Sequence, residues 1–100
     1  MGAGTSSGIS AIAQKISGAK WQKVGTSKSF GIPGIGGAIV RRVPSGMGWG
    51  YRADVYSPNS NPSPINGGKP FKTESEAMTT AKKVLINRAE ARAKMVSKPR

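Results

Sequence analysis

The clearest alternation of apolar and polar positions in this chain lies in the segment 48–56. On an extended strand with period two, one face carries the apolar set Trp49, Tyr51, Ala53 and Val55. We expect this set to pack inward. The β-branched run 38–43 predicts the preceding strand, and Pro44-Ser45-Gly46 predicts the turn that makes the two an antiparallel hairpin. For the strand over 38–43, the pattern does not decide which face packs inward, because each face carries an arginine, Arg41 or Arg42.

A helical period replaces the alternation after residue 73. Thr73 followed by Glu76 matches a capping box, with Thr73 as the N-cap and Glu76 reaching back. Because no Gly or Pro follows before Pro99, we expect a helix from 74 to about 94. Its small apolar stripe suits packing on a sheet and comprises Ala77, Ala81, Val84, Leu85 and Ala89.

The remaining segments carry weaker signals. Residues 1–20 are rich in Gly and Ser and predict a flexible N-terminal segment, in which isoleucines at helical spacing favour at most one or two amphipathic turns. Residues 57–68 hold three prolines and no charge, which predicts a long loop. With a basic tail over 95–100, the chain predicts a single α+β domain over 21–94. Its expected fold is a small three-stranded antiparallel sheet packed against one C-terminal helix.

Charge is the most informative property of the composition. Sixteen Lys and Arg face four carboxylates in 100 residues, a net charge of +12, and residues 81–100 carry half of it. Part of that asymmetry suits a helix, whose C-terminal end favours cations. A field this positive speeds encounter with polyanions, and phosphate binding releases their condensed counterions. The composition therefore favours DNA or RNA as partner.

The chain has few side chains that could support catalysis or bind a metal ion. The chain lacks His and Cys, Glu74 and Glu76 fall in the first helical turn, and Glu90 lies among cations, which leaves Asp54 as the one spare acid. We expect no enzyme activity, no metal and no cofactor. No apolar run approaches the roughly 18 residues of a membrane span, so the expected location is cytoplasmic, in a host-cell interior or associated with a nucleoid.

Two groups of cations are candidates for phosphate contacts. Arg41, Arg42 and Arg52 fall on adjacent strands, where guanidinium groups match phosphate oxygens and guanine edges. The alternative is a solvated polar face on which Arg52 balances Asp54. The second group lies along the predicted helix and the tail, and its alternative interpretation is an ordinary solvated helix face with a basic tail. It comprises Lys82, Lys83, Arg88, Arg92, Lys94, Lys98 and Arg100. Trp21 and Trp49 are interpreted as core or core-edge residues.

One stretch of the chain resembles a known family. Trp49-Gly50-Tyr51-Arg52 in the middle strand, and Phe71-Lys72-Thr73-Glu74-Ser75-Glu76-Ala77 opening the helix, make the run 39–85 similar to the arm-type DNA-binding domain of phage integrases. The resemblance implies a virus- or mobile-element-encoded module whose three-stranded sheet enters the major groove. It places Arg42, Arg52 and Lys69 towards DNA. The loop 57–68 is longer than the family pattern.

The sequence thus supports a small nucleic-acid-binding module that acts mainly through phosphate contacts. The alternative is a protein-interaction module, such as a viral accessory factor or a particle component, that binds an acidic protein surface. Membrane-surface binding is a third reading, although neither helical segment has the bulky apolar face that interfacial helices bury. DNA versus RNA and the oligomeric state stay open.

Overall fold

The protein has an α+β fold in which five strands form one antiparallel sheet and α-helices precede and follow them. The computed structural model describes the backbone of residues 7–97 and the side chains of residues 11–92. The strands are neighbours in chain order, α2 packs on one face of the sheet, and α1 packs against α2. The elements are α1 (Ser7–Ser17), β1 (Gln22–Val24), β2 (Ser27–Ile32), β3 (Gly36–Ser45), β4 (Gly48–Tyr56), β5 (Ser63–Pro64), a 3₁₀ turn (Asn66–Gly68) and α2 (Glu74–Ser97).

The sheet has five strands where three were expected. Part of the reason is that the Gly and Pro residues between 24 and 36 do not end the sheet but form tight turns between paired strands. Gly25-Thr26 joins β1 to β2 as a two-residue hairpin turn, and Gly25 has the positive φ of 63° that such a turn requires. Pro33-Gly34-Ile35 joins β2 to β3, and the Ile35 N–H donates to the Ile32 carbonyl across 3.0 Å. Proline followed by glycine at φ 81° is the pattern of a type II turn.

The expectation of a single helix is also wrong. A helix forms over Ser7–Ser17, within the segment expected to be flexible, and its Ile16 is completely buried. A helix of this length is marginal alone and needs a surface on which to dock, which α2 supplies. The expected loop 57–68 likewise contains β5 and the 3₁₀ turn, and Ile65 between them is buried in the core.

The local signals around α2 and the strand over 48–56 agree with the structure, whereas the turn expected at Pro44-Ser45-Gly46 lies further out, because Pro44 and Ser45 pair with β4 as part of β3 and Gly46-Met47 form the turn. The strand expected over 48–56 has those bounds, and α2 begins at Glu74 as expected and ends at Ser97, three residues later than expected. The Glu76 N–H donates to Thr73 Oγ1 across 3.1 Å, which confirms Thr73 as the N-cap. Among the described residues, the hydrogen bonds do not include a return bond from the Thr73 N–H to the Glu76 carboxylate.

The core lies between α2 and the helix-facing side of the sheet. Ala53 and Val55 pack inward as expected, and the open question in β3 is settled because Ala38 and Val40 are buried while Arg42 continues the same face beyond the core. From α2 the buried side chains are Ala77, Ala81, Leu85 and Ala89. Along residues 7–97, neither helix combines the length and apolar character that crossing a bilayer requires.

Replacing Leu85 by alanine tests this orientation of α2. Because Leu85 is almost fully buried against the sheet, Leu85→Ala is expected to lower the free energy of unfolding by about 2–5 kcal/mol through the lost burial and the cavity left behind. Urea denaturation measures the change. The exposed neighbour variant Asn87→Ala should stay within about 0.5 kcal/mol, and equal midpoints for the two variants would contradict the packing.

The N-cap of α2 makes a second prediction. Thr73→Ala removes the acceptor of the Glu76 N–H and should lower the free energy of unfolding by about 1 kcal/mol. Thr73→Ser keeps a hydroxyl at the same position and should retain most of that free energy. Thermal denaturation of the two variants beside the parent protein provides the measurement, and an alanine variant as stable as the serine variant would show that the cap contributes little.

Candidate nucleic-acid interface

The β3–β4 hairpin extends beyond the rest of the sheet. Ser27, the first residue of β2, pairs with Arg41, so the four residue pairs from Arg42–Tyr51 outward have no strand partner on that side. At roughly 3.3 Å per residue they extend about 13 Å past β2. The turn Gly46-Met47 closes the hairpin, and Gly46 has a φ of 61°. Residues 42–51 are called the projecting hairpin below.

The helix-facing side of the projecting hairpin carries a cation on an exposed aromatic ring. The Arg42 Cζ lies 4.6 Å from the centroid of the Trp49 ring, within cation–π distance. Trp49 is 59% exposed, so its expected place in the core is wrong. The core ends near Tyr51, beside the start of α2, and Trp49 lies two residues further out. Trp21, in contrast, packs edge-on against Phe30 at the core margin, as expected.

The opposite side, called the outer face, carries the other two strand arginines. Arg41 and Arg52 are direct register partners there, an arrangement that is unfavourable for like charges. The Arg52 Nε donates to Asp54 Oδ1 at 3.2 Å, so the ion pair considered from the sequence forms, and the Asp54 side chain is only 9% exposed. Arg41 is exposed and makes no ion pair with any residue that the structure describes.

A hollow of about 280 Å³ lies beside the projecting hairpin on its helix-facing side. Lys23, Lys28 and Arg42 line this basic hollow together with a single carboxylate, Glu74, whose Oε1 accepts from Lys28 Nζ at 2.9 Å. Three cations around one carboxylate leave an excess of positive charge. Sequence reasoning missed both lysines, although the Gly25-Thr26 turn signal between them places them directly opposite each other on β1 and β2.

Lys69 lies close to the base of the projecting hairpin. Its N–H donates to the Asn66 carbonyl at 3.0 Å, and the Asn66 side chain donates to the Lys69 carbonyl at 3.2 Å. The next residue, Pro70, packs so closely against the hairpin that a methyl group added at Gly50 would lie 2.7 Å from Pro70 Cβ. The backbone of Lys69 is therefore held in place, and its side chain is exposed.

Lys82 on α2 has a structural contact instead of a free ammonium. Its Nζ donates to the carbonyls of Ser17 at 2.9 Å and Ala19 at 2.8 Å, at the C-terminal end of α1, and lies 5.6 Å from the centroid of the Phe30 ring. A cation at this end of a helix is favoured by the helix dipole. Desolvation by burial lowers the pKa of Lys82 from its ordinary value.

The other cations on α2 are spread along the helix. Arg88 Nη1 donates to Ser63 Oγ at 3.4 Å, Arg92 Nη2 donates to the Ile35 carbonyl at 3.3 Å, and Lys83 is exposed. Lys94 lies in α2, but its side chain, like Lys98 and Arg100, is outside the described part of the chain. The structure therefore places Arg42 beside Lys23 and Lys28, places Arg41 and Arg52 together on the outer face, and distributes the helix cations elsewhere.

Comparison of the chain with protein-family models, with curated proteins and with solved structures found no match. The resemblance of residues 39–85 to arm-type DNA-binding domains therefore stays a prediction. Among the described residues, no three His, Asp or Glu side chains are grouped as a metal site requires. The candidate interface consists of cationic and aromatic side chains.

The two adjacent lysines of α2 test the structural role of Lys82. Lys82→Ala removes two hydrogen bonds from a charged donor to main-chain carbonyls and should lower the free energy of unfolding by about 1–3 kcal/mol. Lys83→Ala removes the same charge from an exposed position and should stay within about 0.5 kcal/mol. Chemical denaturation of both variants is the measurement. Equal stability would show that the α1 contact contributes nothing.

Proposed function

We propose that the protein binds nucleic acid, chiefly through phosphate contacts made by the projecting hairpin and by the residues at its base. The observation that carries this proposal is the placement of the strand arginines. Arg41 faces Arg52 and Arg42 faces Tyr51, so three guanidinium groups fall on two successive register pairs where the hairpin leaves the sheet. Guanidinium groups match phosphate oxygens in bidentate geometry.

The shape of the projecting hairpin supports a groove-binding mode. A two-stranded β-ribbon fits the major groove of duplex DNA, whose edges are lined by phosphates. Arg42, in the ribbon, lies on the helix-facing side and Arg41, at its base, lies on the outer face, so cations are presented on both faces where the ribbon leaves the sheet. The resemblance to arm-type domains implies the same approach, with Arg42, Arg52 and Lys69 towards the nucleic acid.

Unbalanced charge supplies the free energy for this contact. The net charge is +12, and the ion pairs among the described residues are Lys28–Glu74 and Arg52–Asp54. Both lie at the base of the projecting hairpin and leave Lys23, Arg41 and Arg42 without an acidic partner there. Cations of this kind release counterions when they meet a phosphate backbone, which favours binding independent of base sequence.

Exposed apolar side chains at the same end of the sheet favour a second candidate, a protein-interaction module that binds an acidic protein surface. Met47 is fully exposed, and Val24 and Trp49 are mostly exposed. Trp, Met and Arg are enriched in protein interfaces. Apolar contacts weaken little with salt, so tight binding to an acidic protein at high ionic strength, with no affinity for nucleic acid in dilute buffer, would favour this candidate.

A salt titration tests the proposed function. Binding of a fluorescent DNA duplex should weaken as salt rises, with a log–log slope near −4.5 if roughly five phosphates are neutralised. Arg41→Gln with Arg42→Gln removes two of these contacts and should reduce the slope by about 1.8 as well as the affinity. Fluorescence anisotropy at several salt concentrations provides both quantities.

The matched control removes two cations from α2. Lys83→Gln with Arg88→Gln changes the net charge by the same amount at exposed positions away from the hairpin, and its slope should remain that of the parent protein. If both double variants lose the same slope, the hairpin is not the contact surface and only total charge matters. If the parent protein ignores every nucleic acid in dilute buffer, the proposed function is wrong.

A further inference from the structure

A second cationic surface lies on the outer face, away from the projecting hairpin. It is an open groove of about 610 Å³ at the margin of the sheet, a volume within the range of roughly 300–1,000 Å³ typical of small-ligand sites. Lys15 and Lys20, from the end of α1 and the segment that follows it, border the groove. Ser29, Gly31, Ile39 and Tyr56 from the sheet also line it.

The groove exists because β1 covers only half of β2. Its three residues pair with Ser27–Ser29, so residues 30–32 of β2 have no strand partner on that side. The end of α1 brings Lys15 to this open margin, and the chain that joins α1 to β1 brings Lys20 to it. Among the described residues, the groove lining includes no carboxylate, so the charge of the lysines there is uncompensated.

Tyr56 gives this groove an aromatic surface. Its ring lies across two glycines of neighbouring strands: a methyl group added at Gly37 would overlap the phenol ring, and one at Gly31 would lie 2.8 Å from its oxygen. An aromatic side chain over strand glycines is a known stabilising arrangement in sheets. Tyr56 is nevertheless only half-buried and also lines a neighbouring hollow of about 300 Å³ beside Pro33 and Pro58, so the ring remains accessible.

We infer that the groove binds an unpaired nucleotide of a single-stranded nucleic acid, with its base against Tyr56 and its phosphates on Lys15 and Lys20. Bases stack on aromatic side chains, and a cationic groove beside them follows the strand backbone. A base in an intact duplex is stacked between its neighbours and does not reach Tyr56. The inference rests on the proposed function and deepens it, because it assigns single strands a surface separate from the duplex-binding hairpin.

The experiment compares Tyr56→Leu with Tyr56→Phe in the full chain. Anisotropy is measured with a short labelled oligothymidylate and with a blunt duplex. Leucine keeps an apolar side chain but offers no aromatic plane, so Tyr56→Leu should weaken single-strand binding about 5- to 150-fold, the range for losing one stacked base. Tyr56→Phe should bind the strand like the parent protein, and duplex binding should be the same in all three.

Lysine variants keep the test decisive if Tyr56→Leu fails to fold, which thermal denaturation reveals. Lys15→Gln with Lys20→Gln should weaken oligothymidylate binding more than the charge-matched pair Lys72→Gln with Lys83→Gln. Strand binding that ignores both Tyr56 and Lys15/Lys20, while duplex binding depends on the projecting hairpin, overturns this inference and leaves the proposed function standing. Loss of all nucleic-acid binding in the parent protein overturns both.

Two further ligands distinguish the source of the anion. Thymidine monophosphate should compete far less well than the oligothymidylate, because it lacks the neighbouring phosphate for the second lysine. Competition as strong as that of the strand would assign the groove to a free nucleotide and overturn the single-strand assignment. An oligoglutamate peptide that binds more tightly than the strand, through Lys15 and Lys20 and without dependence on Tyr56, would assign the groove to an acidic peptide instead.

Discussion

The packing of α2 on β3 and β4 is the interaction on which the rest of the structure depends. The helix contributes a stripe of small side chains with Leu85 as its largest buried member, and the strands oppose it with Ala38, Val40, Ala53 and Val55. Because the small side chains pack closely, the helix has one defined position on the sheet. In that position α2 covers one face of the sheet, leaves the other face without a helix among the described residues, and ends before the tip of the β3–β4 hairpin.

The fold separates its cations into those that hold the structure and those that remain open. Cations of α2 donate to oxygen atoms elsewhere in the fold: Lys82 to main-chain carbonyls after α1, Arg92 to the β2–β3 turn and Arg88 to β5. Carboxylates at the base of the hairpin balance Lys28 and Arg52. Two of the cations at the base of the hairpin are therefore paired, while Arg41 and Arg42 make no ion pair with any residue that the structure describes.

Lys82 connects this internal network to the second surface. By binding the carbonyls of Ser17 and Ala19, it holds the end of α1 and the chain that leads to β1. Lys15 and Lys20 border the groove from this same part of the chain. Lys82, a candidate binding residue in the sequence, thus has a structural role, since it holds the part of the chain that carries two lysines lining the same groove as Tyr56.

Features that depend on near neighbours in the chain could be predicted from the sequence: the strand over 48–56, the cap at Thr73, the approximate extent of α2 and the excess of positive charge. Strand alternation and helix capping are local, so a single segment contains the whole signal. The docking of α1, the exposure of Trp49 and the contact of Lys82 depend on segments far apart in the chain, since α2 supplies the surface for α1 and the limit of the core. β1 and β2 pair across short turns, but Gly and Pro interrupt their strand signals, so the sequence pattern does not predict their place in the sheet. The candidate site divides in the same way: its arginines follow from adjacent strands and the Gly25-Thr26 turn signal pairs Lys23 with Lys28, whereas the position of those lysines beside Arg42 and the groove beside Tyr56 form only in the folded sheet.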